Sequence, residues 1–418
     1  MKKIIIIAAV FMAGALKAQT TVYDTVATGP NYANQIWYSL ANDEVGSKPK
    51  DDWDLAFEIT GFNSSVLANT QKTGLAVYAT PYTWSQWRQF DTTGYKKWDA
   101  LHNSDSLWEI GAFNKTGVYN TEDLGWGRYD INTHAINGTR LFLLVLPGNQ
   151  FKKIGVKSLI SGVYTITYAG IDNSDSTTFT MTKANYSGKH FAYYSFSTKT
   201  LADREPLNSA WDITFTKYIY NQYPVGNGAF IPYPVTGVLA NKGIAIAEVR
   251  NTYIPTTNSY NGLAFKSNIS EIGSDWKTFT GMSFKITDSL VYFVQDLNED
   301  VWKVVFTGFA GSSTGKYMFN KTRIGNLSVV KINESNKISI YPNPAASGSV
   351  LTLISDIRNT NSDVQVNVCN AAGQVLYTAM PESGSFSALQ IPMTFEKGIY
   401  FVTVTSNGQS LTQKVLIY

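Results

Sequence analysis

Cysteine is nearly absent: Cys369 stands alone among 418 residues, which excludes an internal disulfide and leaves burial to hold the chain together. Histidine is scarce too, with three residues in all. No two of them stand four apart around a glutamate, and no paired cysteines occur, so zincin-type and structural zinc sites are excluded. Charge of one sign is also missing. A net charge of +3, with no run of Lys or Arg, excludes a nucleic-acid-binding face. Long apolar runs are confined to the first residues: beyond them no segment reaches the ~18 continuous apolar residues that spanning a bilayer requires, so no transmembrane segment is expected in the mature chain.

What is present is a folded composition, 44% hydrophobic and 16% charged, with 10 Trp, 25 Tyr and 22 Phe. This length predicts two or three domains. Lys2 and Lys3, an apolar stretch from Ile4 to Leu16, and then Lys17-Ala18-Gln19 have the layout of a secretory signal peptide, 1–18, cleaved after Ala18. No cysteine lies beside it to carry a lipid.

The next feature is an internal repeat. Trp53-Asp54-Leu55-Ala56-Phe57 recurs 158 positions later as Trp211-Asp212-Ile213-Thr214-Phe215. Each copy is preceded by an aromatic strand, Trp37-Tyr38-Ser39-Leu40 or Tyr193-Tyr194-Ser195-Phe196. At an offset of 150, Trp126 matches Trp276, Leu141–Leu144 matches Val291–Val294, and Lys153–Val156 matches Lys303–Phe306. The elements are short, alternating and bounded by Gly, Asn, Asp or Pro, which is the pattern of antiparallel strands with one buried face. The fold class is therefore all-β: two repeated domains, 19–187 and 188–330, a polar linker at 331–337, and a small immunoglobulin-like sandwich at 338–418. In the Trp-Asp motif, Trp53, Leu55 and Phe57 are expected on one face. Asp54 and Asp212 read as groups that bond nearby backbone.

The first repeat carries 19 extra residues between Tyr78 and Trp126. They hold Trp84, Trp87, Trp98, His102 and Trp108, with helix-compatible spacing from Gly94 to His102, and read as a short helical lid where a ligand would stack. The recurring Trp53, Trp211, Trp126 and Trp276 read as core anchors.

Enzyme signatures fail on context. Gly311-Ser312-Ser313-Thr314-Gly315 has the spacing of a nucleophile elbow, but its flanks read as strands and no histidine follows His190. No catalytic residue is expected.

The last quarter opens with Tyr341-Pro342-Asn343-Pro344 and continues with Ala371-Ala372-Gly373, Gly398-Ile399-Tyr400-Phe401 and Lys414 in the final strand. It resembles the type A C-terminal sorting domain of the type IX secretion system of Bacteroidota. The resemblance implies the type IX machinery as partner, and a product released or attached to the outer surface after Sec-dependent passage through the periplasm.

With Tyr-Ser-Phe, Trp-Asp-Ile-x-Phe, Gly-x-Ala-Val and a Lys-bearing strand in that order, residues 30 to 330 resemble the HmuY family of haem-binding proteins. The resemblance implies haem held between two axial side chains, His or Met. The candidates are His102, His134 and Met282. The family's second axial histidine falls near Arg128, and the repeat position of His134 is Phe284. Two readings follow: a secreted ligand binder that takes haem, or a structural or adhesive surface protein that presents the insertion to glycans or proteins.

Overall fold

A computed structural model describes residues 20–61, 63–115, 122–226, 228–326, 338–355, 364–370, 373–380, 388–406 and 409–417. The expected signal peptide, the 331–337 linker and Ala371-Ala372 lie outside these residues. The chain forms two compact units, Met1–Asn326 and Leu327–Tyr418.

In the first unit, strands are short and aliphatic or aromatic, so each buries one face against a partner sheet. Four-stranded and eight-stranded sheets make one lobe. The first has the order Thr200–Ala202, Phe191–Ser195, Leu55–Glu58, Val66–Ala68. The second runs from Thr177–Thr182 through Val163–Gly170, Gln150–Ile160 and Phe142–Leu146 to Ala76–Ala79 and Ala100–Leu101. Leu55, Phe57, Trp126, Phe142, Leu144 and Tyr164 fill the space between them.

The other lobe repeats this plan. Ala229–Ala240, Ile213–Gly226, Asn34–Ser39 and Asp43–Pro49 form one sheet, and Thr21–Ala27, Lys316–Asn326, Asp300–Phe309, Val291–Gln295 and Ala245–Val249 form its partner. Ile36, Tyr38, Ile213, Phe215, Trp276 and Phe306 lie between. The expected correspondence holds down to register: Leu144 pairs with Val77 and Val294 with Ile246. Both lobes also carry a bulge at the same place, between Val156 and Ser158 and between Phe306 and Gly308.

The packing units are not the sequence repeats. The opening strands of the first repeat, 21–49, pair with the second, and Phe191–Ser195 of the second repeat pairs with Leu55–Glu58 of the first. A boundary between 187 and 188 therefore separates strands from their partners. The Trp-Asp motif is the joint of this exchange. Asp54 accepts from the Phe196 amide at 2.7 Å and Asp212 from the Leu40 amide at 2.7 Å, each capping the strand borrowed from the other repeat. Asn69 and Asn241 complete the joints, donating to the Trp53 and Trp211 carbonyls. The period-two pattern starts only at Leu55. Trp53 precedes the strand and packs with Ala56 and Tyr193 on the opposite face from Leu55 and Phe57.

The second unit is a small sandwich. A three-stranded sheet, Ile338–Tyr341, Val350–Ser355 and Ala388–Pro392, and a four-stranded sheet, Val375–Ala379, Val364–Asn370, Gly398–Ser406 and Gln409–Ile417, share one core with Leu351, Leu353, Val366, Val402 and Val415.

Candidate functional site

The insertion is a lid, but not a helical one. Trp84–Gln89 and Tyr95–Lys97 are 3-10 turns, because Gly94 adopts a left-handed conformation and Phe90 and Trp98 are extended. Its aromatics cover the outer face of the eight-stranded sheet, over Leu141, Leu143 and Val145. Trp84 and Trp87 stack on each other with ring centroids 5.4 Å apart, and Trp98 meets Tyr82 edge-on at 6.2 Å. Lys153, buried in the sheet, reaches out to the Trp87 carbonyl at 2.8 Å, the Ile171 carbonyl at 3.3 Å and Asn173 Oδ1 at 2.6 Å. The three indoles are thus packed on a sheet instead of lining an open ligand face.

The three expected haem ligands lie in three different elements. A low-spin haem needs two donors on opposite faces of one slot. His102 bonds Thr70 through Nδ1 at 3.2 Å, and burial followed by the nearby Lys115 lowers its pKa. His134 sits in a hairpin turn of the first lobe, bonded to the Tyr129 hydroxyl at 2.7 Å. Met282 is 95% exposed in the equivalent hairpin turn of the second lobe. Among the described residues, no hydrogen bond or ring contact joins any two of them, and no group of three or more His, Cys, Asp and Glu could hold a metal. Gly311–Gly315 joins two strands through a 3-10 turn, as expected, with Ser313 bonded to the Ala310 carbonyl.

One concavity lies where the exchanged strands bring the lobes together. It is a narrow cleft with a cavity volume of about 80 Å³, walled by Trp53, Trp108, Leu107 and Tyr218, with Gln35, Asn69, Gln71 and Asn103 among them. The far end of the insertion builds one wall, where Asn103 holds the Ala68 backbone by both N–H and C=O and Trp108 Nε1 donates to the Ala240 carbonyl at 2.9 Å. Asn69 Oδ1 accepts from Gln71 Nε2 at 2.7 Å, and the buried Gln71 Oε1 has no hydrogen-bond partner among the described residues.

A smaller cavity shares Gln35, Trp53, Leu67 and Trp108 with the cleft and adds Trp37, His190, Tyr193 and Trp211. Beside it the Arg204 guanidinium lies 5.0 Å from the Trp37 and Tyr193 rings and 6.0 Å from Trp53, bonded to Gln35 Oε1 and paired with Asp52. His190 donates from Nε2 to Asn241 Oδ1 at 2.6 Å, and burial, with Lys242 nearby, pulls its pKa down to about 4, so it is neutral at pH 7. Trp126, Trp276 and Trp211 are buried anchors, as expected, and Trp53 is half-buried on the cleft wall.

Sequence reasoning picked Trp108 as an insertion aromatic and passed over Gln35, Asn69, Gln71 and Asn103. The recurrence of Asn69 as Asn241 after each Trp-Asp motif was the available signal.

In the second unit, the Tyr341-Pro342-Asn343-Pro344 opening is fastened to the final strand. Asn343 donates to the Lys414 carbonyl at 2.8 Å and accepts from the Leu416 amide at 3.0 Å, while Pro342, Pro344 and Lys414 point to solvent. Gly373 takes φ +81° in the turn after Asn370, and Gly398 opens the strand that pairs with the C-terminus. Residues 339–418 match the family model of the secretion system C-terminal sorting domain. The sorting domain marks this chain for export by the type IX secretion system, whose machinery is its partner, to the cell surface or the space beyond. No curated protein matches the chain. Among solved structures, that of dimeric latent PorU from Porphyromonas gingivalis is similar at 8% identity and a TM-score of 0.16, over 94% of this chain and 34% of that one. The chain thus spans about a third of that protein's length, and so slight a likeness carries no argument. No helix among the described residues is long and apolar enough to cross a membrane.

Proposed function

We propose that this protein is a secreted or surface-displayed ligand-binding protein, without catalytic residues, that reaches the periplasm by the Sec route and seats its ligand in the cleft between the two lobes. The observation that carries this reading is the composition of the cleft: Trp53, Trp108 and Tyr218 line it beside Gln71, an amide whose oxygen has no partner among the described residues. Indole and phenol faces take the apolar side of a ring, and amides take its hydroxyls. Lys217 is the one charged side chain on the wall among the described residues, so the ligand is a largely neutral, hydroxyl-bearing one such as a surface glycan.

The test is calorimetric titration of the full mature chain with a panel of neutral oligosaccharides and, separately, with hemin. Saturable glycan binding is expected, weakened about tenfold in Gln71→Ala by loss of one hydrogen bond and abolished in Leu107→Arg, which obstructs the mouth. A Soret band that saturates with hemin and is lost in His102→Ala, His134→Ala or Met282→Ala would replace this reading with haem carriage. Silence toward both would leave the structural or adhesive alternative.

A further inference from the structure

The hairpin Ile213–Gly226 and Ala229–Ala240 is far longer than its counterpart in the other lobe, Leu55–Glu58 and Val66–Ala68. Only Ile213–Phe215 pairs with the neighbouring strand Asn34–Ser39, so the rest of the hairpin extends beyond its sheet as a two-stranded arm. Its base is fastened: the Asn221 amide donates to Asp105, Asn221 Nδ2 to the Asn103 carbonyl, and Lys277 Nζ to the Thr236 carbonyl. Beyond that base, among the described residues, residues 222–234 are held only by their own cross-strand pairs and by the stacked rings of Tyr223 and Tyr233 at 4.5 Å.

Three properties of the arm go together. From Tyr218 to Asn241, 24 consecutive residues include no charged side chain. Every residue from Ala229 to Pro234 is exposed, and because neighbours in a strand point to opposite faces, the ribbon is bare on both. Its exposed side chains are ordered along its length, with Val225 (51%), Phe230 (57%) and Ile231 (41%) toward the turn and Tyr233 (45%) nearer the base, across from Tyr220.

The geometry points to a lipid bilayer surface as the medium this arm enters, turn first, with its tyrosines at the polar boundary. A folded partner covers one face of a ribbon, whereas lipid surrounds both. The order of side chains, apolar ahead of tyrosine, is the order of a bilayer's own layers. Pairing with a further strand is blocked, because a proline fits a paired strand only where its nitrogen faces away from the partner. Pro224, Pro232 and Pro234 therefore occupy the outer edges, where they deny a new strand its donors. The same prolines reduce the number of unpaired backbone N–H groups that would be desolvated on entry. A shallow insertion of about 5–10 Å into the headgroup boundary is the depth such interfacial elements reach.

Flotation of the full mature chain with phosphatidylcholine vesicles tests this. Wild type is expected to float, and equally well at low and high salt, because no charge drives the contact. Phe230→Asp/Ile231→Asp should reduce the floating fraction about tenfold or more while keeping the wild-type near-ultraviolet circular dichroism. A polarity-sensitive fluorophore placed at Val225→Cys in a Cys369→Ser background should shift to the blue on vesicle addition. Failure of wild type to float, flotation of the double variant at the wild-type level, or binding confined to anionic vesicles and lost in salt would overturn the inference. So would a blue shift that appears without vesicles as the chain dimerises in light scattering.

Discussion

The two lobes answer the same packing problem with the same core and differ wherever the core makes no demand. Trp126 and Trp276, the Trp-Asp-Asn joints and the bulged Lys-bearing strands are superimposable in role. The first lobe covers the outer face of its sheet with an indole-rich lid, and its sheet-facing hairpin is short. In the second lobe, Tyr260 packs on Phe293 from the equivalent loop, and the hairpin is drawn out into the arm. A duplicated sandwich is thus free to vary at its rims. The far end of the lid and the base of the arm, two features without counterparts, meet at the cleft.

The most damaging way to probe this comparison is to empty either core. Trp126 and Trp276 are fully buried, with Nε1 bonded to the Ser64 carbonyl at 2.9 Å and the Gly273 carbonyl at 3.2 Å. Replacing either by Ala should cost about 3–5 kcal/mol. Because each lobe borrows strands from the other repeat, calorimetry should show both lobes of Trp276→Ala unfolding in one lowered transition. A first lobe that still melts at its wild-type temperature would mean that the exchanged strands do not couple the lobes.

A smaller effect separates Lys153 and Lys303, the buried lysines at equivalent positions of the two repeats. Lys153 has three acceptors under the lid, whereas Lys303 has two, the Ile254 carbonyl at 2.6 Å and Asn258 Oδ1 at 2.8 Å; burial lowers the pKa of both. Charge-assisted bonds contribute roughly 1.5–3 kcal/mol apiece before the cost of burying the ammonium is subtracted. Lys153→Met should therefore lose about 3 kcal/mol and Lys303→Met about half of that. Amide exchange should accelerate at 84–98 in the first variant and at 254–260 in the second. Equal losses would mean that the lid draws no extra hold from its third bond.

Much of this was legible in the sequence because alternation and turn residues report which face a strand buries, and a repeated motif reports where an equivalent strand begins. The sorting domain was legible through a family resemblance carried by Tyr341-Pro342-Asn343-Pro344 and the motifs after it, whereas the bonds of Asn343 to Lys414 and Leu416, more than 70 positions away, were not. Alternation says nothing about which strand lies alongside. Tyr193-Tyr194-Ser195 therefore groups with the Trp-Asp motif that follows it, although it pairs with the one that begins 140 positions before it. Trp84, Trp87 and Trp98 misled because an indole that covers a sheet and one that stacks on a ligand have the same sequence context. Gly94 to His102 had helical spacing but too few residues to offset the cost of nucleating a helix. Gln35, Gln71 and Asn103 converge only through the exchange, so no local pattern could join them.

The finest contrast is electrostatic and sits in the two joints. Asp54 also bonds Lys72 Nζ at 2.6 Å, whereas the Asp212 carboxyl has no cation bonded to it among the described residues; burial, with Asp296 nearby, pushes its pKa up to about 6. The folded chain holds the Asp212 proton to a higher pH than the unfolded chain, whose value is near 3.8, so ionisation of this group removes stability as pH rises from about 4 to about 6. A rise of about two pKa units, in which the bond from the Leu40 amide is already included, corresponds to about 3 kcal/mol. Asp212→Asn, which does not titrate, should therefore gain about 3 kcal/mol on wild type above pH 6 and nothing near pH 4, read from urea midpoints across that range. Asp54→Asn should lose about 1–2 kcal/mol at pH 7, because it leaves Lys72 beside a neutral group. If the two variants shift in the same direction at pH 7, Lys72 does not distinguish the joints, and the repeats are electrostatically as well as structurally equivalent.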